Sequence, residues 1–401
     1  MTFGDELGRL LAERGISQRE LARRSHYDAG YINKLVRGVK QATPAVAERL
    51  DEVLDAEGTL MALVNRRKVL TGAATIASAA LLGALDADGR ERLTWAQRHP
   101  SRVDQAAIDS LAGVLAAQRR AEDALGSAAM VKPVTAQLAA VDGLLSETRG
   151  PMRPAMADVA MQWSQFAAWL HMSTRDFPAA RALWRQTLEL ATETDDATMT
   201  ATALTRRAEM AWLSGEPGTM TGLAQAAQRD QRAAASERAH SAGIEARAYV
   251  MTGDVAAAER KLGEAADLAA EFADQPSGQQ RAWSYWYKPE WFDCERGVTF
   301  GYLAHIDRYR VQALDSLTAG YAGLGDAASS EWAVDYVLRR AAVHVRGGDI
   351  EAACADAVQV VPVARQTDSA NLLGMLAQLH TGMAARWPDD PRVADLADAL
   401  R

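Results

Sequence analysis

A pattern that recurs along this 401-residue chain constrains its fold more than any other feature of the sequence. Three segments align without gaps: STRDFPAARALWRQTLELA from Ser173, MTGDVAAAERKLGEAADLA from Met251 and RGGDIEAACADAVQVVPVA from Arg346. Each has Asp at its fourth place, an Ala-Ala pair at its seventh and eighth places, and Ala at its end. Such repetition is typical of stacked supersecondary units that bury their apolar faces against one another. Because helix formers dominate the chain and strand-like alternation is scarce, we predict an all-α fold.

The spacing of the repeats predicts where the helices lie. Asp176 and Asp254 are 78 residues apart, or two units of 39, and Asp254 and Asp349 are 95 apart. We expect these three aspartates to begin corresponding helices. A weaker copy, WLSGEPGTMTGLAQAAQRD from Trp212, occupies the intermediate position. The predicted helical pairs lie at 104–149, 155–194, 197–231, 236–273, 296–328 and 331–368, with a capping helix near 371–400.

The first sixty residues predict a separate bundle of four short helices. Gly15 stops the first helix, Ser17 and Glu20 form a capping box for the second, Asp28 caps the third, and Thr43-Pro44 opens the fourth. The residues predicted to face its core are Leu7, Leu10, Leu11, Leu21, Ala22, Ile32, Val46, Leu50, Val53 and Leu54.

Positive charge is concentrated in this module. The chain as a whole carries a net charge of −8, whereas Arg14 to Lys40 contain seven Lys or Arg against two Asp or Glu, which is +5. Two short helices joined by a tight turn, inside a basic patch, form a geometry that lets one helix enter the major groove of DNA. The charge distribution therefore favours a nucleic-acid-binding module at the N-terminus.

The string SQRELARRSHYDAGYINKLVRG resembles the helix-turn-helix of the lambda-repressor-like (Xre) family, over roughly residues 5 to 57. The resemblance implies that Asn33 bonds an adenine edge, that Lys34 contacts a guanine edge or a phosphate, and that Arg37 meets phosphate. The DNA-binding residues that it implies are Ser17, Gln18, Arg19, Asp28, Ala29, Gly30, Tyr31, Asn33, Lys34, Arg37, Lys40 and Thr43.

Two positions depart from that family. His26 stands where the family usually has Gly, at a turn that tends to require a positive φ. Val36 stands where the family often has Glu. Both departures leave open a degenerate copy that no longer binds DNA. Of the adjacent Tyr31 and Ile32, we assign Ile32 to the core and Tyr31 to the rim of the DNA interface.

The helical pairs resemble divergent tetratricopeptide repeats, and this implies an α-solenoid with a concave face. A helix-turn-helix followed by such repeats is similar to the peptide-responsive RRNPP regulators, which clamp a bound peptide with asparagines on their inner helices. This chain contains only Asn33, Asn65 and Asn371, so the asparagine ladder is absent from the array.

An aromatic cluster interrupts the repeat register in QQRAWSYWYKPEWFDCERG. It is either a ligand pocket or a core patch between repeats. Trp163, Trp169, Trp184 and Trp212 are predicted to belong to the repeat core. Two interpretations, a groove-facing position and a solvated face, fit Gln162, Gln165, Arg206 and Arg207 equally well. The candidate ligand-binding residues are Trp283, Trp286, Tyr287, Trp291, Arg206 and Gln162.

The stretch NRRKVLTGAATIASAALLGAL, from Asn65, contains seventeen uncharged residues from Val69 to Leu85. It resembles a twin-arginine export signal, but a DNA-binding module precedes it, and seventeen helical residues reach only about 26 Å of the roughly 30 Å of a bilayer. We predict a helical linker anchored by Leu70, Ile76, Leu81 and Leu85. The predicted domains are a helix-turn-helix domain at 1–64, a linker at 65–103 and a repeat domain at 104–401.

These features predict a cytoplasmic, sequence-specific transcriptional regulator that acts as a homodimer on a palindromic operator in double-stranded DNA. A small-molecule or peptide effector bound by the repeats would modulate DNA binding. No cofactor, metal or membrane partner is expected, and no catalytic string occurs. With two cysteines, Cys294 and Cys354, the chain has no disulfide framework, and Asp293 and Glu295 are expected to raise the thiol pKa of Cys294. The alternative is an interaction scaffold with a degenerate helix-turn-helix.

Overall fold

The computed structural model describes residues 3–37, 40, 42, 44–54, 56, 103–275 and 283–400. Within these ranges the chain forms eighteen α-helices, two short 3₁₀ turns and no strand, which confirms the predicted all-α class. The chain divides into two compact units, Met1–Ala80 and Leu81–Arg401.

Four helices build the N-terminal unit: α1 Phe3–Glu13, α2 Gln18–Ser25, α3 Ala29–Val36 and α4 Pro44–Leu54. Their inward faces form one apolar cluster around Leu7, Leu21, Ile32 and Leu50, all fully buried, as predicted. Val53 is half-buried at its edge. A Cβ on Gly4 would lie 2.4 Å from the carbonyl oxygen of Val36, so glycine is required where α1 meets the end of α3.

The turns of this unit follow the predicted punctuation. The Ser17 hydroxyl accepts a hydrogen bond from the Glu20 amide, and Asp28 caps α3. The Glu20 carboxylate is engaged by Arg23 and Arg24, so only the Ser17 half of the predicted capping box forms. His26 has φ 61°, in the left-handed region, as expected from its place in the turn. Gly38 and Thr43 lie outside the described residues.

Fourteen helices build the second unit, paired as antiparallel hairpins along the chain. They are α5 Gln105–Leu125, α6 Ser127–Glu147, α7 Arg153–Ser173, α8 Phe177–Glu193, α9 Ala197–Leu213, α10 Pro217–Ala227, α11 Ala235–Thr252, α12 Val255–Ala273, α13 Pro289–Gly301, α14 Asp307–Gly323, α15 Glu331–Gly347, α16 Ile350–Gln366, α17 Ala370–Arg386 and α18 Pro391–Leu400.

Every predicted helical pair is present, but the start of one pair and the prediction of a single capping helix need correction. The pair placed at 296–328 begins earlier, at Pro289, because proline is accepted in a first helical turn. Part of the aromatic cluster is therefore helical. The predicted single capping helix is two helices, α17 and α18, separated by a turn that includes Pro388.

The repeated Asp-x-x-Ala-Ala string has a direct structural meaning. Asp176, Asp254 and Asp349 are the N-caps of α8, α12 and α16, and each carboxylate accepts a hydrogen bond from the amide of the first alanine of the pair. The second alanine of the pair is buried in each case, at Ala180, Ala258 and Ala353. The string thus starts the second helix of a hairpin and lets it approach its neighbour closely.

The helical array closes on itself. The backbone amide of Ser127, at the start of α6, donates to a carboxylate oxygen of Glu331 at the start of α15, at 2.9 Å and 204 residues away. A Cβ on Gly126 would lie 2.5 Å from the Cβ of Thr367, so the α5–α6 turn packs tightly against the end of α16. Arg175 donates two hydrogen bonds to the side chain of Asn371 across the same gap. The sequence predicted stacked hairpins but not this closure.

The predicted linker at 65–103, with its anchors Leu70, Ile76, Leu81 and Leu85, lies outside the described residues except for Val103. The domain boundaries at 64 and 103 therefore stay predictions. Across the described ranges, no helix combines the length and apolar character needed to cross a membrane.

Candidate DNA-binding surface and ligand pocket

The exposed face of α2 and α3 carries the side chains predicted to meet DNA. Asn33 donates a hydrogen bond from Nδ2 to Oε1 of Gln18 at 3.1 Å, which couples the start of α2 to the outer face of α3. Both side chains keep further polar atoms at the surface. An amide pair of this kind presents donors and acceptors together, as reading of base edges requires.

The N-terminus of α3 is already occupied by its own cap. Oδ1 of Asp28 accepts hydrogen bonds from the amides of Gly30 and Tyr31, at 2.8 and 3.1 Å. Asp28 therefore orders the helix, and Ala29 and Gly30 add no polar side-chain atoms beside it. Ile32 is fully buried and Tyr31 is half-buried, as the sequence indicated.

Some basic side chains of this surface contact other residues of the unit, and others are exposed without such a contact being described. Arg23 and Arg24 bond to Glu20, and these hydrogen bonds lower the pKa of Glu20 to about 2. Lys40 lies over the ring of Tyr31, with Nζ 4.7 Å from the ring centre. Arg19, Lys34 and Arg37 are exposed as well. The predicted contacts Ser17, Gln18, Arg19, Asp28, Ala29, Gly30, Tyr31, Asn33, Lys34, Arg37 and Lys40 all lie on or beside this surface, and Thr43 lies outside the described residues.

The closed array surrounds a pocket of about 190 Å³. Every odd-numbered helix from α5 to α17 contributes to its wall, because these helices are the first members of the hairpins and face the centre. Its lining combines tryptophans with charged side chains. The residues that carry its chemistry are Arg119, Glu122, Trp169, Arg206, Glu209, Trp212, Arg247, Trp286, Trp291, Glu295, Glu331, Trp332, Asp335 and Arg339.

Guanidinium groups and indole rings alternate around the wall. The guanidinium of Arg206 lies 5.2 Å from the ring centre of Trp169 and 6.0 Å from that of Trp286. Those of Arg247 and Arg339 lie 4.5 and 5.1 Å from the ring of Trp212. Contacts of this kind hold a planar cation against an aromatic face and strengthen when water is excluded.

Three of the lining arginines have carboxylate partners. Arg206 pairs with Glu209 at 2.9 Å, Arg247 with Glu295 at 2.8 Å, and Arg339 with Asp335 at 3.0 Å. Burial raises the pKa of Glu209, but Arg206 and the adjacent His240 outweigh this effect and bring it down to about 2. The Arg206–Glu209 pair is therefore charged at neutral pH, and the three pairs stiffen the wall.

Arg119 differs from these three. It is 4% exposed and donates to the Gln165 side chain at 2.9 Å and to the Gln162 carbonyl oxygen at 3.2 Å, both of which are neutral groups. Its Nε has no hydrogen-bond partner among the described residues. Burial lowers the pKa of Arg119 to about 9, so the guanidinium is still charged at neutral pH.

Carboxylates gather at the closure of the array. The Ser127 hydroxyl donates to Oε1 of Glu122 at 2.6 Å, while its amide donates to Glu331. The Tyr285 hydroxyl and the Trp332 indole donate to Asp123, at 2.8 and 3.3 Å. Within the described ranges, no Lys, Arg or His side chain forms an ion pair with any of the three carboxylates.

This charge concentration affects the pKa values. Burial raises the pKa of Glu122 to about 7; the Ser127 hydroxyl opposes the rise, and Asp123 and Glu331 add to it. Burial also raises the pKa of Asp123.

The structure distributes the six predicted ligand residues over three places. Trp286, Trp291 and Arg206 line the pocket. Trp283 is buried in the apolar cluster of the first two hairpins, and Tyr287 is buried with its hydroxyl 3.1 Å from Nδ1 of His240. Gln162 is not among the lining residues; its side chain donates to Asp158, and its backbone carbonyl oxygen accepts from Arg119. The aromatic cluster is thus partly pocket and partly core.

The prediction for the other tryptophans needs a correction. Trp163 and Trp184 are fully buried repeat core, as expected. Trp169 and Trp212 are half-buried and line the pocket, because the first helix of each hairpin has one face toward the centre of the closed array. The same geometry brings in Arg119, Arg247 and Arg339, for which no local pattern in the sequence gave a signal.

The two cysteines are buried and unpaired with each other. Burial is the main cause that raises the pKa of the Cys294 thiol, and Glu295 and Asp293 add to it. The expected direction is confirmed, although the expected cause is the smaller one. In the part of the chain that the structure describes, no group of three or more His, Cys, Asp or Glu side chains is placed to hold a metal ion.

The short α2, the turn at His26 and the exposed α3 define the N-terminal unit as a helix-turn-helix domain. Residues 2–64 match a family model described as a helix-turn-helix domain, and this supports a DNA-binding function. Neither a curated protein nor a solved structure matches the chain. The helix-turn-helix match and the all-helical fold fit a DNA-binding regulator.

Proposed function

We propose that the protein is a homodimeric transcriptional regulator whose helical array binds an effector in its central pocket and thereby modulates DNA binding. We also propose that the N-terminal unit belongs to the lambda-repressor-like family and that the hairpins are divergent tetratricopeptide repeats. The observation that carries the DNA-binding part is the coupled amide pair of Gln18 and Asn33 on an exposed, basic face.

The pocket supports the effector part of the proposal. Buried polar atoms normally find hydrogen-bond partners, and unpaired ones cost free energy. Nε of Arg119, Nε of Arg247 and the indole nitrogen of Trp286 have no partner among the described residues, and all three side chains line the pocket. A ligand that supplies acceptors there would satisfy them.

Closure of the array gives a physical mechanism by which effector binding alters DNA binding. The contacts of Ser127 with Glu331 and of Arg175 with Asn371 join elements that are far apart in sequence. A ligand shifts an equilibrium only through its different affinities for two states, and a ligand held by helices on both sides of the closure binds the closed state better. In a dimer, half-sites lie about 34 Å apart, so a change in the array can alter how often two N-terminal units reach that spacing.

The DNA-binding part is tested by selecting bound duplexes from a random pool with the full chain. We expect enrichment of one palindromic sequence, and we expect Gln18→Ala and Asn33→Ala each to reduce its affinity at fixed salt. Gln366→Ala, an exposed glutamine of the array, is the matched control and should leave the affinity unchanged. Binding without sequence preference would instead favour the scaffold alternative.

The effector part is tested with Trp286→Ala, which truncates a half-buried wall of the pocket. We expect operator affinity of the effector-free variant to match that of the wild type, while the response to effector in cell extract is lost. Trp387→Ala, at the far end of the array, is the control and should respond normally. Equal loss of thermal stability and of all function in Trp286→Ala would identify the cluster as core only. Sedimentation equilibrium of the full chain gives its mass in solution and so tests whether the protein is a dimer.

A further inference from the structure

The pocket contains two charge defects of opposite sign that do not cancel each other. Arg119 is a buried cation whose described partners are an amide group, a carbonyl group and the ring of Phe166, at 5.7 Å, so it has no counter-charge among them. Glu122 and Glu331 are carboxylates in the same lining whose described partners are hydroxyl, amide and indole groups. Arg119 and Glu122 lie one turn apart on α5, yet no ion pair joins them.

Neither defect is favourable by itself. A buried charge without a counter-charge carries most of its desolvation penalty, and nearby like charges increase it. Asp123, the sequence neighbour of Glu122, adds a third negative group beside the lining carboxylates. A ligand that brings the missing counter-charges would recover part of this free energy on binding.

The signs of the two defects decide which ligand can do so. A simple anion would neutralise Arg119 but would be repelled by Glu122 and Glu331. A simple cation would neutralise the carboxylates but would leave Arg119 unpaired and repelled. A molecule with both charges satisfies both defects together, and an i, i+3 spacing on one helix places the two sites within reach of a small molecule.

Indole rings flank the negative defect. The indole nitrogen of Trp169 donates to Glu122 at 3.4 Å, and that of Trp332 donates to Asp123 at 3.3 Å. Trp286 lies in the same wall. The indole N–H groups hold these carboxylates in place, and the ring faces offer a surface against which an apolar or aromatic body packs.

We propose that the pocket binds a small zwitterion of the aromatic α-amino acid class, with its carboxylate at Arg119, its ammonium group at Glu122 and Glu331, and its ring against Trp169 and Trp286. This inference deepens the proposed function, since it names the chemical class of the effector. It concerns the array alone and does not require that the N-terminal unit bind DNA.

The experiment is calorimetric titration of the full-length protein with three matched series at pH 7.5. Each of phenylalanine, tyrosine and tryptophan is compared with its amine, which lacks the carboxylate, and with its arylpropionate, which lacks the amine. We expect at least one amino acid to bind at least tenfold more tightly than both of its analogues. Equal or tighter binding of an amine or of a propionate in all three series overturns the proposal, as does the absence of binding by all three amino acids.

Single variants assign the two charge sites. Arg119→Met should weaken the amino acid at least tenfold and leave the amine unchanged, whereas Glu331→Gln should weaken the amino acid and leave the propionate unchanged. Arg119→Lys keeps the charge and should retain most of the affinity, which separates loss of charge from loss of fold. If both variants weaken all three ligands of a series alike while circular dichroism is unchanged, the assignment of charges is wrong.

The outcomes also separate this inference from the proposed function. Binding of the zwitterion by a chain that selects no DNA sequence would retain the ligand class and overturn the regulator. Selection of an operator by a chain that binds no zwitterion would retain the DNA-binding part and overturn the ligand class.

Discussion

The two units of this protein differ in where their functional side chains lie. In the N-terminal unit they are outside: Gln18 and Asn33 are fifteen residues apart and meet on an exposed face. In the array they are inside: Ser127 and Glu331 are 204 residues apart and meet at a buried closure. A surface site can thus be assembled by two adjacent helices, whereas an enclosed pocket requires the whole array.

Energetics follow the same division. Exposed ion pairs such as those of Glu20 with Arg23 and Arg24 contribute little to stability, since water and salt screen them. Buried charges of the array, such as Glu122 and Arg119, carry large desolvation penalties. Substitutions in the array are therefore expected to change stability and its pH dependence, and those on α2–α3 to change DNA affinity.

The largest effect should come from Glu122→Gln, which tests the claim that the array buries uncompensated charge. Burial raises the pKa of Glu122 from 4.5 to about 7 in the folded chain. Between pH 4.5 and pH 7, Glu122 is therefore protonated in the folded chain and ionised in the unfolded chain. Stability thus falls as pH rises through this window. The variant should gain roughly 3 kcal/mol at pH 8 and less than about 0.5 kcal/mol at pH 4.5.

Urea unfolding of both proteins at the two pH values measures this difference. Glu147→Gln, an exposed glutamate on α6, is the control and should show no pH-dependent gain. A variant that is less stable than the wild type at pH 8 would contradict the description of the closure.

The next effect concerns the N-terminal surface, where Asn33→Ala and Arg37→Ala should act differently. Loss of a base contact by Asn33 should cost about 1 to 3 kcal/mol on the selected operator and little on unrelated DNA. Loss of a phosphate contact by Arg37 should weaken both duplexes and reduce the salt slope of binding by about one.

Fluorescence anisotropy over a range of salt concentrations checks this pair of expectations. Neither variant should change the unfolding of the array, because the side chains are exposed in the other unit. Identical losses on operator and unrelated DNA for Asn33→Ala would remove it from base reading.

A smaller effect is expected from Asp254→Ala, which removes the N-cap of α12. The amide of Ala257 loses its side-chain partner, and such a loss typically costs about 1 kcal/mol. Asp267→Ala, on the exposed face of the same helix, is the matched control. Differential scanning calorimetry should show a lower Tm only for Asp254→Ala; equal shifts would mean that the repeated aspartate is not a structural cap.

The smallest effect should come from His26→Gly, a stabilising change in the turn between α2 and α3. A non-glycine residue at φ 61° is strained, and glycine relieves the strain at an entropic cost, so a net gain of about 0.5 to 1 kcal/mol is expected. Gly15→Ala, also at a positive φ of 61°, should do the opposite. Hydrogen exchange of the α2 and α3 amides measures the local stability of both variants, and a loss of protection in His26→Gly would show that the histidine side chain compensates its own strain.

Much of the N-terminal unit was predictable, because its signals are local. Asp28 at the start of α3 indicated a cap, and the cap forms. Of the adjacent Tyr31 and Ile32, Ile32 is in the core as assigned, and Tyr31 is half-buried against the edge of the same core, so its place at the DNA rim stays a prediction. Only the reciprocal half of the capping box was wrong, since Arg23 and Arg24 compete for Glu20.

The array was predictable as hairpins and not as a pocket. Asp176, Asp254 and Asp349 indicated helix starts, and these are present. The tryptophans could not be sorted, because Trp163 and Trp169 lie on the same helix at helical spacing while one faces the apolar core and the other the central cavity. That difference depends on a closure between residues more than two hundred positions apart.

The helices, their caps and the basic face of the helix-turn-helix follow from the local sequence, since each depends on residues within one or two turns of one another. Long-range packing sets the closure of the array, the inward face of the first helix of each hairpin, and the meeting of Arg119, Glu122 and Glu331 in one cavity without cancelled charges. The physical reason is that capping and helical periodicity are local interactions, whereas burial and electrostatic pairing depend on which distant segments exclude water together.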